Sequence, residues 1–304
     1  MSKDFKTHEE MVAILNKRGL ATDTNSIDIL RQHNYYQLIN GYKDHFLSER
    51  GVNERYKEGT SLNDIYSLYL FDRELRIVFL KGILQVESTM KNVISHCASK
   101  YYKDDPEFYL DVQNYTPSSK KSGNVQKTLA KLENCRNSSK QSPKHYREKY
   151  GIVPFWVLAK DLTFGNLSFF YELLAQPSIQ NDIAHQLHSL FMQDDDQASR
   201  LTVGELRRDL RILVEYRNIC AHDERFYCHK FGKVHVANNR PADVSTLLTV
   251  LKKYLPAHSY DALNGDLTRE VTSLAEGSGL NLEVAIPAMQ DIGFELYLNG
   301  ERVS

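Results

Sequence analysis

The 304-residue chain is poor in the features that mark secreted and membrane proteins. Its four cysteines are too few for the dense disulfide framework of a small secreted fold, so a mostly reduced, intracellular protein is expected. No apolar run approaches the roughly 18 residues of a membrane span. The opening stretch MSKDFKTHEE carries no hydrophobic signal segment. A soluble, cytoplasmic protein with no membrane partner is therefore predicted. A charge excess is missing too: 38 Lys and Arg stand against 39 Asp and Glu, a net charge of -1. That excludes a uniformly basic nucleic-acid binder while leaving room for a local basic site. GxxxxGK, GxGxxG, HExxH and GxSxG are all absent, so the common ATPase, dinucleotide, zincin and hydrolase chemistries lack motif support and no cofactor is expected. A hydrophobic fraction of 41%, with 18 Tyr and 13 Phe, excludes wholesale disorder.

What the chain does have is helical periodicity, which predicts an all-α fold. One pattern spans His8–Arg18, with Met11, Ile14 and Leu15 on one face and Gly19 as its stop. A second starts near Ser26 and continues through Tyr35, Tyr36, Leu38 and Ile39 until Gly41 breaks it. Residues 42–58 read as irregular and polar. The strongest pattern runs from Leu62 through Ile94, with Ser61 placed to cap it and a kink expected near Gly82. Further helices are expected from Leu167 to about Leu174, over 181–192, and from Val244 to Leu255. Thr202 and Glu205 offer a capping box to the helix that leads into residues 216–222. Asp194, Asp195 and Asp196 read as a polar loop, because the Gly and Glu spacing of a calcium loop is missing.

Two stretches depart from the neutral average. Between Thr116 and Tyr150, nine basic residues face two acidic ones among many serines, which predicts an exposed, partly mobile excursion. Its lysines serve either as a solvated surface or as phosphate contacts, the candidates being Lys120, Lys121, Lys127, Lys131 and Lys140. From Pro256 onward two basic residues face eight acidic ones, and short helical and strand-like pieces are expected, such as Phe294–Leu298.

The candidate chemistry lies in Arg217-Asn218-Ile219-Cys220-Ala221-His222. Cys220, His222, Cys228 and His229 are suitable zinc donors by type, but an adjacent Cys-His pair converges poorly on one tetrahedral ion, so no metal site is expected. Arg217 and His222 suit RNA cleavage without a metal: imidazole exchanges protons near neutral pH, and a permanent guanidinium neutralises a phosphoryl group. Five helical steps separate them by about 140° and about 7.5 Å along the axis, so one straight helix does not aim both at one atom. Paired helices or a second subunit would bring two such pairs into one cleft. Asn218, four residues before His222, is placed to orient the imidazole or the helix end. The bland alternative is a helix-terminal Arg and His paired with Asp223 or Glu224.

The segment Tyr216–Phe226 resembles the signature of the Abi-like abortive-infection proteins, bacterial antiviral factors of the HEPN superfamily. Three more blocks fit that family in order. They are Asn34–Leu38 with Gly41-Tyr42, Leu70–Arg76 followed by Val86-Glu87, and Pro154–Val157 with Leu162–Gly165. Together they run from about residue 25 to 230. The resemblance implies a HEPN-like helical bundle with additional helices and irregular insertions. It also implies a homodimer with Arg217 and His222 of both protomers at its cleft. The implied activity is a metal-independent endoribonuclease of antiphage defence that leaves 2′,3′-cyclic phosphate ends. A noncatalytic RNA-binding protein and a structural dimerisation module are the alternatives. RNA is the implied partner, and a small structured noncoding RNA, in a toxin–antitoxin arrangement, the implied inhibitor. Asp72, Arg73 and Glu87 match family positions and are read as a structural ionic network between helices. The chain then divides into an Abi-like region over 1–255, with its basic insertion at 116–150, and an acidic extension over 256–304.

Overall fold

A computed structural model describes residues 4–116, 122–191, 200–236 and 239–277, together with 287, 290, 297–298 and 301–302. Helices α1 (His8–Lys17) and α2 (Ser26–Gln32) open the chain. A hairpin of β1 (Leu47–Glu49) and β2 (Arg55–Tyr56) leads into α3 (Leu62–Tyr101). Then follow α4 (Ser122–Arg136), α5 (Gln141–Tyr150), α6 (Phe155–Asp161), α7 (Phe164–Leu173), α8 (Pro177–Phe191) and α9 (Val203–Ala221). A second hairpin, β3 (Phe231–His235) with β4 (Pro241–Ala242), precedes α10 (Val244–Tyr254) and α11 (Ala257–Gly277). Strands β5 (Tyr297–Leu298) and β6 (Glu301–Arg302) form a third hairpin. The architecture is a helical bundle with small antiparallel hairpins.

The organising element is α3, a 40-residue helix against which α6, α8, α9, α10 and α11 pack. Its start is a capping box: Asp64 N–H donates to Ser61 Oγ, and Ser61 N–H donates to the Asp64 carboxylate. Leu68, Leu75, Phe79, Ile83, Val86, Met90 and Ile94 are wholly buried along it. Helix α3 is continuous through Gly82. Gly82 lets α11 approach: a Cβ at this position would lie 2.8 Å from Leu263 Cδ1.

Other elements differ from the sequence reading as well. The second helix ends at Gln32, and Asn34 Oδ1 accepts from Tyr36 N–H (2.9 Å) and Gln37 N–H (3.3 Å) to start a separate π-turn over Tyr36–Asn40. Residues 42–58 are less polar in place than in sequence: Tyr42, Phe46, Leu47 and Tyr56 join the core. The basic excursion is helical over most of its described length. Val125, Thr128 and Leu132 seat α4 on α7, and α5 lies on α6. Helix α11 is a single run of 21 residues in place of the expected short pieces, and Leu263, Leu267 and Leu274 bury its apolar stripe. Residues 294–296 and the acidic triplet 194–196 lie outside the described residues. Among the described residues, no helix is long and apolar enough to cross a membrane.

Candidate functional site at the end of α9

Helix α9 begins where the sequence predicts. Glu205 N–H donates to Thr202 Oγ1 (3.2 Å), and Thr202 N–H donates to Glu205 Oε2 (2.9 Å). Leu206, Leu210, Leu213 and Tyr216 are fully buried, which fixes the helix rotation and sends Arg217 toward α3.

The far end of α9 is a Schellman-type stop. His222 N–H donates to the Asn218 carbonyl (2.9 Å) and Glu224 N–H to the Ile219 carbonyl (3.2 Å). Asp223 takes the left-handed position, φ 55°, where glycine is usual. A side chain there costs on the order of 1 kcal/mol. Its contacts offset that cost: Gln37 Nε2 donates to the Asp223 carbonyl (2.6 Å) and to Oδ2 (2.7 Å), while Arg76 Nη2 donates to Oδ1.

Beneath this turn lies a buried network. Asp72, with no solvent exposure, accepts from the Tyr42 hydroxyl (2.6 Å), Arg76 Nη1 (2.8 Å), Phe226 N–H (3.0 Å) and Tyr227 N–H (2.6 Å). Burial pushes the Asp72 carboxyl up from its ordinary value, and these four donors act against it. Arg76 Nη1 also donates to the Glu224 carbonyl (3.1 Å). One carboxylate and one guanidinium thus pin the chain directly after His222, from Asp223 to Tyr227.

Asp72 is placed as an element of this network. Arg73 is not: it is half-exposed and pairs with its neighbour Glu74. The residue that fills the role is Arg76, four positions after Asp72 and so on the same helical face. That i, i+4 spacing is the signal the sequence offers. Gln37 has none beyond its place in the Asn34–Leu38 block.

Glu87 meets Arg217. Its Oε2 lies 3.5 Å from Arg217 Nε, and its Oε1 accepts from Lys91 Nζ at 2.9 Å. Charge attraction spans the first gap, but neither Arg217 Nε nor Glu87 Oε2 has a hydrogen-bond partner among the described residues, although both atoms are buried. The His222 imidazole is exposed and makes no hydrogen bond among the described residues, and the Asn218 side chain is also exposed. Arg217 and Glu87 are therefore brought together, while no hydrogen bond links Arg217 and His222 of one chain among the described residues.

The cysteine–histidine cluster does not converge. Burial pushes the Cys220 thiol up to about 12, so it is a protonated core side chain. His229 Nε2 lies 3.3 Å from Glu215 Oε1, and burial lowers the imidazole below its ordinary value while Glu215 acts against that shift. Among the described residues, no three His, Cys, Asp or Glu side chains are grouped so as to hold a metal ion.

Lys127 and Lys131 are exposed one turn apart on α4. Lys140 donates to the Asp161 carbonyl at 2.9 Å. Lys120 and Lys121 lie outside the described residues. Two basic residues of this stretch are structural. Arg136 clasps Glu107 (Nε–Oε1 2.6 Å, Nη2–Oε2 3.2 Å), and Arg147 donates to the Arg136 and Ser138 carbonyls.

A family model described as "Abi-like protein" matches residues 28–228. No curated protein and no solved structure matches the chain.

Proposed function

The chain belongs to the Abi-like protein family, and on that premise we propose that it is a HEPN-type endoribonuclease of abortive-infection defence, cutting RNA by attack of a ribose 2′-hydroxyl. The observation that carries this reading is that two groups near the end of α9 are underused: an exposed imidazole with no partner among the described residues, and a guanidinium whose Nε lacks a hydrogen-bond acceptor there. Between them they supply proton transfer and phosphoryl charge neutralisation, so the reaction needs no metal. The 2′-oxygen bonds to phosphorus as its proton passes to one imidazole. The bond from phosphorus to the 5′-oxygen breaks as a second imidazole protonates that oxygen. The products are a 2′,3′-cyclic phosphate and a 5′-hydroxyl. Because about 140° of helix rotation separates Arg217 from His222, the second imidazole and guanidinium come from a partner protomer across a two-fold axis.

Wild type should cleave single-stranded or looped RNA in excess EDTA. His222→Ala and Arg217→Ala should each slow cleavage on the order of 10²-fold or more while remaining folded and dimeric. Cleavage at the wild-type rate by folded His222→Ala contradicts its role. The Glu87 carboxylate beside Arg217 favours a second reading, in which the arginine grips RNA without chemistry. RNA binding with no cleavage by wild type would select it.

A further inference from the structure

We propose that the depression beside Glu87 is a stacking site for one unpaired nucleotide of an RNA strand, with Trp156 as its platform and Lys160 as its phosphate contact. The inference rests on the RNA-directed reading above and adds a binding subsite to it.

The platform follows from how α6 is seated. Phe155 is wholly buried, its ring 4.3 Å from that of Phe170 and 5.4 Å from that of Phe108. Val157, Leu158 and Ala159 are buried as well. With four of the first five positions turned inward, Trp156 alone is aimed out, and it is 53% exposed. It faces a depression of about 460 Å³ whose opposite wall is α3, through Glu87, Ser88, Lys91 and Asn92. Sites for small ligands occupy about 300–1,000 Å³.

Charge and polarity select the occupant. Lys91 is neutralised by Glu87 at 2.9 Å, but among the described residues the Lys160 ammonium donates only to the Ser142 hydroxyl (3.2 Å) and has no carboxylate partner. Ser88 and Asn92 add uncharged donors and acceptors. An indole face beside an unneutralised ammonium is the arrangement that holds a base and its phosphate on single strands. A second copy of the chain fits less well, because the buried centres of protein interfaces are depleted in lysine. Glu87 joins the two sites: it lines the depression and also faces Arg217. A strand seated on Trp156 therefore passes beside the guanidinium assigned to the phosphoryl group.

Trp156 is the only tryptophan in the chain, so its fluorescence reports on this site alone. The probe is a short 2′-O-methylated RNA single strand, which lacks the attacking hydroxyl and is not consumed, titrated into the full-length protein. Saturable quenching of Trp156 emission is expected. Trp156→Ala should weaken binding of the labelled strand about tenfold, Trp156→Tyr should retain most of the affinity, and Lys160→Ala should weaken it and flatten its salt dependence. Saturable binding with unchanged emission and full affinity in Trp156→Ala overturns the stacking site while leaving the RNA reading intact. Failure of the wild type to bind the strand overturns both. Loss of the dimer mass in Trp156→Ala at unchanged RNA affinity assigns this surface to a contact between copies and likewise overturns the proposal.

Discussion

Two ionic clusters flank the end of α9, and they are built differently. Around Asp72, carboxylate, guanidinium, hydroxyl and two backbone N–H groups are all satisfied within the core. Around Glu87, a carboxylate oxygen and the Arg217 Nε are buried and left without hydrogen bonds among the described residues, on an arginine side chain that is 30% exposed. A saturated network holds a shape, whereas an unsaturated one retains capacity for a ligand. The first cluster sets the turn on which His222 stands, and the second holds Arg217, five residues before it, with its Nε–H unfilled among the described residues. The same division runs through the basic helices, where Arg136 is committed to Glu107 while Lys127 and Lys131 stand in solvent.

The sharpest way to break this contrast is to open the saturated side. Asp72→Ala takes the acceptor from the buried Tyr42 hydroxyl and from two backbone N–H groups, leaves Arg76 with Asp223 as its carboxylate partner, and should cost about 3–5 kcal/mol of folding stability. Urea titration measures it; a loss below about 1 kcal/mol would show that the network is dispensable.

A smaller effect belongs to Glu107, and it depends on pH. Burial alone would raise this carboxyl, but the Arg136 hydrogen bonds and the Val153 N–H outweigh burial and hold it below its ordinary 4.5. A carboxyl depressed in the folded state stabilises fully above its unfolded value, and that stabilisation is lost as pH falls through the folded value. Glu107→Gln should therefore cost about 1–2 kcal/mol at neutral pH, discounted for partial exposure. Below 4.5 its deficit relative to wild type should shrink. A deficit that does not change with pH would mean the clasp does not depend on charge.

Much of this arrangement is legible in the sequence where the signal is local. The Thr202–Glu205 cap and the buried face of α9 follow from spacing, whereas the segment from Arg217 to His222 is singled out by its resemblance to the family signature. Arg76 is readable in principle as the partner four residues after Asp72, yet a motif match points to Arg73, because adjacency does not show which residue faces inward. The bond from Gln37 to Asp223 and the role of Gly82 depend on chain segments distant in sequence. Helix α4 is obscured by its polar composition, since among its described side chains only Val125, Thr128 and Leu132 are well buried.

The smallest effect on stability is expected at the exposed lysines. Lys127→Gln with Lys131→Gln should leave stability within about 0.5 kcal/mol. RNA binding should weaken, with its salt slope reduced by about 0.7 for each phosphate that is no longer neutralised. An unchanged slope would make these lysines a solvated face and nothing more.

The central claim is that the groups left unsatisfied on α9 cut RNA through its own 2′-hydroxyl. Once a cut site is mapped on an RNA strand, replacing the single nucleotide 5′ of that cut with its deoxyribose form removes one oxygen and alters little else. Cleavage at that bond should cease in EDTA while the strand binds with unchanged affinity. Continued cleavage there would contradict the mechanism and, with it, the reading of Arg217 and His222 as its catalytic residues.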